Sequence, residues 1–252
     1  MSDFSWERHL KDNTPMLYSR ILLKLSGEAL MGRQSFGIDP ETIKSICLQI
    51  RDVKELGIEM GIVVGGGNIY RGLRAEKQGI KRVTGDYMGM IATIFNSLAL
   101  QNILESNGVE TRVQSALHVE KVTEPYINRK AIKHLEKGRV VIFAAGTGGP
   151  FFTTDTAAAL RAIETSSNVL LKATRVNGVY DKDPERYSDA KFYSKITYRD
   201  FLEKGLKVMD ATAITLCSEN NLPVIVFNIR GKNNLKKIVL GEDIGTMIRE
   251  VI

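Results

Sequence analysis

Three glycine-bearing loops carry most of the side chains that could do chemistry, and each follows an apolar run of strand character. In the first, Lys24-Leu-Ser-Gly-Glu28, a lysine ends the apolar run and Gly27 follows. A glycine lets backbone N–H groups approach an anion, and a lysine supplies a mobile positive charge. The loop is not a Walker A motif, because Arg33-Gln34 stands where that motif has lysine and a hydroxyl residue. It predicts a phosphate contact, with a solvated charge at the strand end as the alternative.

The second loop is Gly65-Gly66-Gly67-Asn68, and Arg71 follows it. Successive glycines after a strand can form a nest of backbone N–H groups for phosphate, and an arginine can bind phosphate through two parallel hydrogen bonds. The spacing does not match the dinucleotide fingerprint. An ordinary strand-to-helix turn is the alternative, but it would not require all three glycines, so the loop favours phosphate binding.

The third loop, Gly-Thr-Gly-Gly-Pro-Phe-Phe-Thr-Thr-Asp at 146–155, has a different chemistry. It offers backbone groups, two hydroxyls and a carboxylate around two aromatic rings, which suits a planar polar ring better than a pyrophosphate. Thr154 or Asp155 could also cap the helix that follows, and the two roles are compatible.

Two further segments add groups suited to a nucleotide. The segment 172–184 contains Tyr180, which could flank a nucleobase, and Asn177, which could hydrogen-bond it. Asp210 stands at the start of a predicted helix, where an ordinary cap is the alternative role. Lysine, arginine and glycine loops after three strands together make a polyanion site, and phosphoryl transfer needs mainly positioning and charge neutralisation.

The elements that must position these loops alternate along the chain. Apolar runs predict strands at 18–26, 58–64, 109–114, 139–144, 168–174 and 223–227, and helical spacing predicts helices at 40–56, 87–106, 153–164 and 208–221. Strands joined through helices imply a parallel sheet covered on both faces, with ligands bound beyond the carboxyl ends of the strands. We therefore predict a three-layer α/β/α sandwich with a mostly parallel central sheet.

Composition restricts the class of protein further. The 252 residues are 43% hydrophobic and 25% charged, which is ordinary for a globular domain, and the formal charge of +6 favours acidic partners. Cys47 and Cys217 form no CxxC pair, and the three histidines have no metal-ligand spacing, so we expect reduced thiols and no metal site of the protein's own. We find no secretory signal, no apolar run of membrane length and no nucleic-acid-binding motif, so we expect a cytoplasmic protein that binds neither membrane nor nucleic acid.

Taken together, these segments resemble the bacterial UMP kinases (uridylate kinases) of the amino acid kinase superfamily. The resemblance covers residues 18–250, and its marks lie at 20–30, 65–72, 85–90, 146–155, 176–184 and 206–210. The first and fifth of these segments are shared loosely with aspartate, glutamate and acetylglutamate kinases. The segments Gly-Asp-Tyr-Met-Gly-Met at 85–90 and 146–155 point to UMP.

The resemblance implies transfer of the γ-phosphate of ATP to UMP in pyrimidine nucleotide biosynthesis, with Mg²⁺ carried by the nucleotide phosphates. It implies an ATP site formed by Lys24, Leu25, Ser26, Gly27, Gly67, Arg71, Thr174, Asn177, Tyr180 and Asp183. It implies a UMP site formed by Gly66, Asp86, Thr147, Gly148, Gly149, Pro150, Phe151, Phe152, Thr153 and Thr154. It implies catalytic roles for Lys24, Arg71, Asp155 and Asp210, in which Asp210 orients Lys24 and Asp155 lies near the phosphates. The ribose suits Asp86, because a carboxylate accepts hydrogen bonds from hydroxyls.

The resemblance also implies an assembly and a domain organisation. It implies a homohexamer activated by GTP and inhibited by UTP, although Gln101 stands where activated members often carry arginine. The predicted helix at 87–106 is apolar nearly all round, so we expect part of it to lie at a subunit interface. We divide the chain into an N-terminal arm, 1–17, and one kinase domain, 18–252, with an acceptor lobe at 18–165 and an ATP lobe at 166–252.

Two other functions stay open at this point. An amino acid kinase that forms an acyl phosphate would share the fold and the ATP site. A nucleotide-sensing or oxyanion-storage protein could use the same fold without catalysis, since fold does not fix function. The presence of Lys24, Arg71 and Asp210 argues against the second.

Overall fold

A nine-stranded sheet forms the centre of the computed structural model, which describes residues 16–70 and 79–250. The strands are β1 (Arg20–Leu25), β2 (Glu59–Val64), β3 (Thr111–Ser115), β4 (Glu124–Pro125), β5 (Val140–Ala144), β6 (Val169–Thr174), β7 (Val179–Tyr180), β8 (Phe192–Tyr193), β9 (Lys195–Ile196), β10 (Val224–Asn228) and β11 (Thr246–Ile248). Their order in the sheet is β4-β3-β5-β2-β1-β6-β10-β11-β9, and β7 and β8 form a separate hairpin. Every neighbouring pair in the large sheet is parallel except β10 and β11.

Helices cover both faces of this sheet. They are α1 (Pro40–Lys54), α2 (Arg82–Ser106), α3 (Asn128–Glu136), α4 (Thr154–Glu164), α5 (Tyr198–Glu203), α6 (Ala211–Glu219) and α7 (Asn234–Val239). One apolar cluster joins α1, α2 and α7 to the sheet, and a second joins α3, α4, α5 and α6 to its other face. The predicted three-layer sandwich with a mostly parallel sheet is confirmed.

The predicted and observed boundaries differ at the starts of two helices, α2 and α6. All six predicted strands are present, but α2 begins at Arg82, before the predicted start, and α6 begins at Ala211, after it. Asp210 has extended backbone and its carboxylate accepts a hydrogen bond from the N–H of Ala213, which sets the start of α6. The helices α3, α5 and α7 were not predicted. Neither α3 nor α7 has a side-chain hydrogen bond at its N-cap, whereas Thr197 caps α5 by accepting a hydrogen bond from the N–H of Asp200.

The alternation of side chains along β1 decides which layer each residue faces. Ile21 and Leu23 belong to the cluster with α1, whereas Leu22 belongs to the cluster with α4. Because side chains two apart share a face, Lys24 lies on the α4 side of the sheet.

The structure tests neither the predicted N-terminal arm nor the predicted division into two lobes. Residues 1–15 of the arm lie outside the described part of the chain, and β1 and β6, from the two predicted lobes, are neighbours in one sheet. The division at residues 165 and 166 stays a prediction. Within the described ranges, no helix is both long and apolar enough to cross a membrane.

Candidate active site

Two buried lysines lie side by side at the carboxyl ends of the two central strands. Lys24 of β1 and Lys172 of β6 are register partners in the parallel pair, and each is only 7% exposed. Register partners on neighbouring strands point to the same face, so both ammonium groups lie on the α4 side. The motifs in the sequence did not predict a role for Lys172.

Asp155, in the first turn of α4, lies between the two lysines. Its Oδ1 is 2.6 Å from Nζ of Lys24, and its Oδ2 pairs with Nζ of Lys172. Burial raises the pKa of Asp155, but the charges of the two lysines and their hydrogen bonds outweigh it and hold that pKa well below its usual range. Burial and the nearby charge of Lys24 lower the pKa of Lys172 to about 8, against the opposing charge of Asp155. The two ammonium groups and the carboxylate of Asp155 together carry one net positive charge, and the carboxylate of Asp210 also acts on Lys172 from nearby. The buried lysines are therefore the groups that can bind an entering polyanion.

Asp210 acts on this centre through the start of α4. Its carboxylate accepts hydrogen bonds from the hydroxyls of Thr153 and Thr156 and from the N–H of Ala213, so it ties the first turn of α4 to that of α6. The resemblance implied that Asp210 orients Lys24. In the structure the ion-pair partner of Lys24 is Asp155, and Asp210 binds the start of α4 through Thr153 and Thr156, so its predicted role in orienting Lys24 stays a prediction.

The phosphate loop (residues 24–28) and the triglycine loop (residues 65–68) pack directly against each other. A Cβ on Gly27 would lie 2.5 Å from Oδ1 of Asn68, and a Cβ on Gly66 would lie 2.7 Å from the carbonyl oxygen of Gly89 in α2. Both distances are shorter than a real contact allows, so close packing requires glycine at these positions. Ser26 caps a short 3₁₀ turn by accepting from the N–H of Ala29, and the side chain of Leu25 is in the core.

Most of the predicted UMP residues line one cavity of about 150 Å³. The acceptor loop (residues 146–155) forms one wall, and α2 and the triglycine loop form the others. The predicted residues that line it are Gly66, Asp86, Thr147, Gly149, Phe152, Thr153 and Thr154. Gly148, Pro150 and Phe151 do not line it, and Phe151 is 63% exposed.

Asp86 holds the acceptor loop as well as facing this cavity. Its Oδ1 is 2.8 Å from Nε of Arg82, one helical turn earlier, and its Oδ2 accepts a hydrogen bond of 2.8 Å from the N–H of Phe151. The guanidinium of Arg82 also lies 5.8 Å from the centre of the Phe151 ring. No role was predicted for Arg82, although its spacing of four residues from Asp86 indicates an ion pair on one face of a helix.

A second cavity, of about 410 Å³, contains only some of the predicted ATP residues. Tyr180 and Asp183 line it, but Thr174 and Asn177 do not. The hydroxyl of Thr174 donates to the carbonyl oxygens of Val176 and Phe227, and Oδ1 of Asn177 accepts from Asn228. These two residues shape the end of β6 and the start of the loop after it.

A third cavity, of about 530 Å³, joins the other two and contains Lys24, Asp155 and Asp210. It shares Thr153 and Thr154 with the cavity beside Asp86. It shares residues 205–207 with the cavity beside Tyr180. The three cavities are therefore adjacent, with Lys24 lining the middle one and Lys172 buried beside Lys24. Two ligands in the outer cavities would bring their anionic groups together near Lys24.

The position of Arg71 and a possible metal site are the remaining predictions for this region. Arg71 lies outside the described residues, so its predicted role stays a prediction. Over residues 16–70 and 79–250, no three acidic, histidine or cysteine side chains converge as a metal site would require.

Comparison with known proteins places this site in a family. Residues 19–228 match the amino acid kinase family. The chain is 41% identical to a UMP kinase from Bacillus anthracis, over 93% of this chain and 97% of that one, with a TM-score of 0.90. It is 41% identical to a UMP kinase from Ureaplasma parvum, over 93% of this chain and 100% of that one, with a TM-score of 0.86. It is 28% identical to a uridylate kinase from Archaeoglobus fulgidus, over 90% of this chain and 99% of that one, with a TM-score of 0.71.

Proposed function

This chain belongs to the amino acid kinase family, among its UMP kinases, and on that premise we propose that it transfers the γ-phosphate of ATP to UMP. The observation that carries the proposal is the row of three cavities, whose middle member is lined by Lys24, with Lys172 buried beside Lys24. UMP takes the cavity beside Asp86, and ATP takes the cavity beside Tyr180. The two ligands then bring their phosphates together at the lysines.

The buried charges supply what phosphoryl transfer needs. The transferred group carries negative charge on its oxygens, and preorganised cations stabilise that charge without having to reorganise. Lys24 and Lys172 provide those cations, and Asp155 fixes their positions by pairing with both. The attacking oxygen belongs to the phosphate of UMP and is already anionic, so the step requires little help from a general base.

The arrangement of carboxylates fits an Mg²⁺ ion that is carried by the nucleotide. Both oxygens of Asp155 face ammonium groups, and those of Asp210 accept hydrogen bonds from Thr153, Thr156 and Ala213. Neither residue presents a free carboxylate for a resident ion. Mg²⁺ bound to phosphate oxygens would supply further charge neutralisation during transfer.

A nucleotide panel tests the proposed reaction. We expect ADP release from ATP with UMP, and values of kcat/KM lower by about tenfold or more with dUMP and lower still with CMP. On this proposal the 2′-hydroxyl of UMP donates a further hydrogen bond to the carboxylate of Asp86, which lines the cavity, and dUMP cannot make that hydrogen bond. The amine of CMP puts a donor where O4 of uracil accepts. The measurement is coupled ADP release under steady-state conditions.

Aspartate and glutamate in the same panel separate the competing functions. ATP-dependent turnover of either amino acid, but not of UMP, would make the chain an acyl-phosphate-forming kinase. Nucleotide binding without any turnover would indicate a sensor. Equal efficiency with UMP and CMP would refute the proposed specificity and leave the kinase activity standing.

An exposed apolar stripe on α2 supports a homo-oligomer, which we propose to be a hexamer. Val83, Tyr87, Ile91 and Phe95 recur every four residues and therefore share one face, and Ile91 and Phe95 are 59% and 56% exposed. A second copy of the chain would cover this face. Activation by GTP and inhibition by UTP, and action in the cytoplasm, are parts of the same proposal.

Substitution of Ile91 by lysine should weaken the assembly. A charge in the middle of an apolar contact loses its hydration, so we expect Ile91→Lys to dissociate toward the mass of one protomer at micromolar concentration while the parent does not. Multi-angle light scattering measures this mass. Val122→Lys is the control, because Val122 is also exposed but lies outside the stripe. A parent that is itself a monomer would refute the proposed assembly.

A further inference from the structure

Two polar side chains in the middle of α2 are buried against the sheet, and one of them, Thr93, also lines the cavity beside Asp86. Thr93 is 2% exposed and Asn96 is 0% exposed. Polar groups at such positions cost free energy unless they are hydrogen-bonded, so their partners show what they are for.

Asn96 binds the triglycine loop. Its Nδ2 donates to the carbonyl oxygen of Gly65 at 2.7 Å and to Oδ1 of Asn68 at 2.7 Å. Its Oδ1 accepts from Nδ2 of Asn68 at 3.0 Å, and the same Nδ2 donates to the carbonyl oxygen of Gly37 at 2.9 Å. The two asparagines thus fix the loop that packs against Gly27.

Thr93, one turn earlier, binds the residue directly before the acceptor loop. Its hydroxyl accepts from the N–H of Ala145 at 2.7 Å and donates to the carbonyl oxygen of Met90 at 2.7 Å. Ala145 has a φ of 63°, a left-handed conformation that residues other than glycine seldom adopt. The hydrogen bond to Thr93 holds this residue in place where the chain leaves β5.

We infer that Thr93 and Asn96 are positioning residues that hold the acceptor loop and the triglycine loop at a fixed separation for the reaction. The inference rests on the proposed function. One helical turn of α2 binds the backbone of the triglycine loop and of the residue directly before the acceptor loop, and the cavity beside Asp86 lies between the two loops. A shift of either loop would misplace the acceptor phosphate relative to the lysine centre, and small misplacements cost much in rate.

Ser97 provides a matched control within the same helix. It is also 0% exposed, but its hydroxyl donates to the carbonyl oxygen of Thr93 at 2.7 Å, inside α2 itself. Ser97→Ala therefore removes a buried hydroxyl without touching either loop.

The test separates loop positioning from general stability. Thr93→Val keeps the shape of the side chain and removes the hydroxyl, and we expect it to raise the KM for UMP about tenfold while the KM for ATP stays within about twofold. Thr93→Ser keeps the hydroxyl and should restore the parent KM. Asn96→Asp removes the donor that binds Gly65, and we expect kcat to fall about tenfold, because Gly66 of the triglycine loop lines the cavity beside Asp86 and the loop packs against Gly27 of the phosphate loop. Ser97→Ala should keep all parent values.

Steady-state kinetics with varied UMP and varied ATP, together with thermal melts of every variant, give the result. The inference is overturned if Thr93→Val raises the KM for UMP and the KM for ATP equally, or raises neither of them. It is also overturned if Thr93→Ser behaves like Thr93→Val, or if Ser97→Ala has the same effects as Thr93→Val. If Thr93→Val does not fold, an unchanged kcat in Asn96→Asp overturns it by itself. A parent that does not phosphorylate UMP refutes the proposed function, and the inference with it, whereas an active parent with unaffected variants refutes only the inference.

Discussion

Alanine in place of Lys24 should lower the turnover of UMP by a factor on the order of 10²–10⁴ while the protein stays folded. The substitution removes one of two preorganised cations at the meeting point of the cavities. Asp155 keeps Lys172 as its partner, so no buried charge is left unpaired and the fold should tolerate the change. Stopped-assay kinetics and a thermal melt on the same preparation measure both quantities.

The exposed Lys44 of α1 is the control for this substitution. Lys44→Ala removes the same charge far from the cavities and should retain the parent rate. A Lys24→Ala variant with more than half the parent turnover would show that Lys24 does not take part in the reaction, and the lysine centre would then need another explanation.

Asparagine in place of Asp155 should cause a large loss of stability as well as of activity, whereas Lys24→Ala should lower activity alone. It leaves the ammonium groups of Lys24 and Lys172 close together without a counter-charge. Removing one partner of a buried ion pair costs about 3 kcal/mol or more in the free energy of unfolding. We also expect a fall in turnover, because the two lysines lose the carboxylate that fixes their positions. Urea denaturation at neutral pH measures the stability.

The stability that Asp155 contributes should depend on pH in a definite direction. The pKa of Asp155 in the folded protein lies below the unfolded value of about 3.9. The stability that the ionised carboxylate contributes is therefore fully present above the unfolded pKa and is lost as the pH falls toward the folded pKa. We expect the difference in free energy of unfolding between the parent and Asp155→Asn to shrink below about pH 4.

The surface pair of Lys182 and Asp189 is the matched control. Its ammonium and carboxylate are also 2.6 Å apart, but the side chain of Asp189 is 75% exposed. Solvent screens this pair, so Asp189→Asn should cost no more than about 1 kcal/mol. Equal losses from the two substitutions would contradict the idea that burial makes Asp155 important.

The glycine-bearing loops show how far the sequence could reach into the site. Their positions after apolar runs predicted that they meet at one edge of a parallel sheet, and seven of the predicted UMP residues do line one cavity. The reason for the glycines was only partly predictable, because Gly27 and Gly66 are required by contacts with residues distant in the chain. A steric contact between two loops cannot be predicted before the positions of both loops are known.

The role of Lys172 was signalled in the sequence by a similarity between two strands. The strands β1 and β6 carry the similar sequences Leu-Leu-Lys-Leu-Ser and Leu-Leu-Lys-Ala-Thr, so both lysines hold the same place in a buried strand. Pairing of β1 with β6, which joins residues almost 150 positions apart in the chain, turns this similarity into two adjacent cations.

The sequence by itself determined the alternation of strands and helices, the parallel sheet and the three loops, because hydrophobic periodicity and turn residues are local properties. Only the tertiary structure decided that Asp155 rather than Asp210 pairs with Lys24, that Lys172 completes the centre, and that Thr93 and Asn96 hold the loops. Those contacts depend on strand order, register and the seating of α2 and α4 on the sheet. They arise from the packing of the whole chain, which no local pattern of residues specifies.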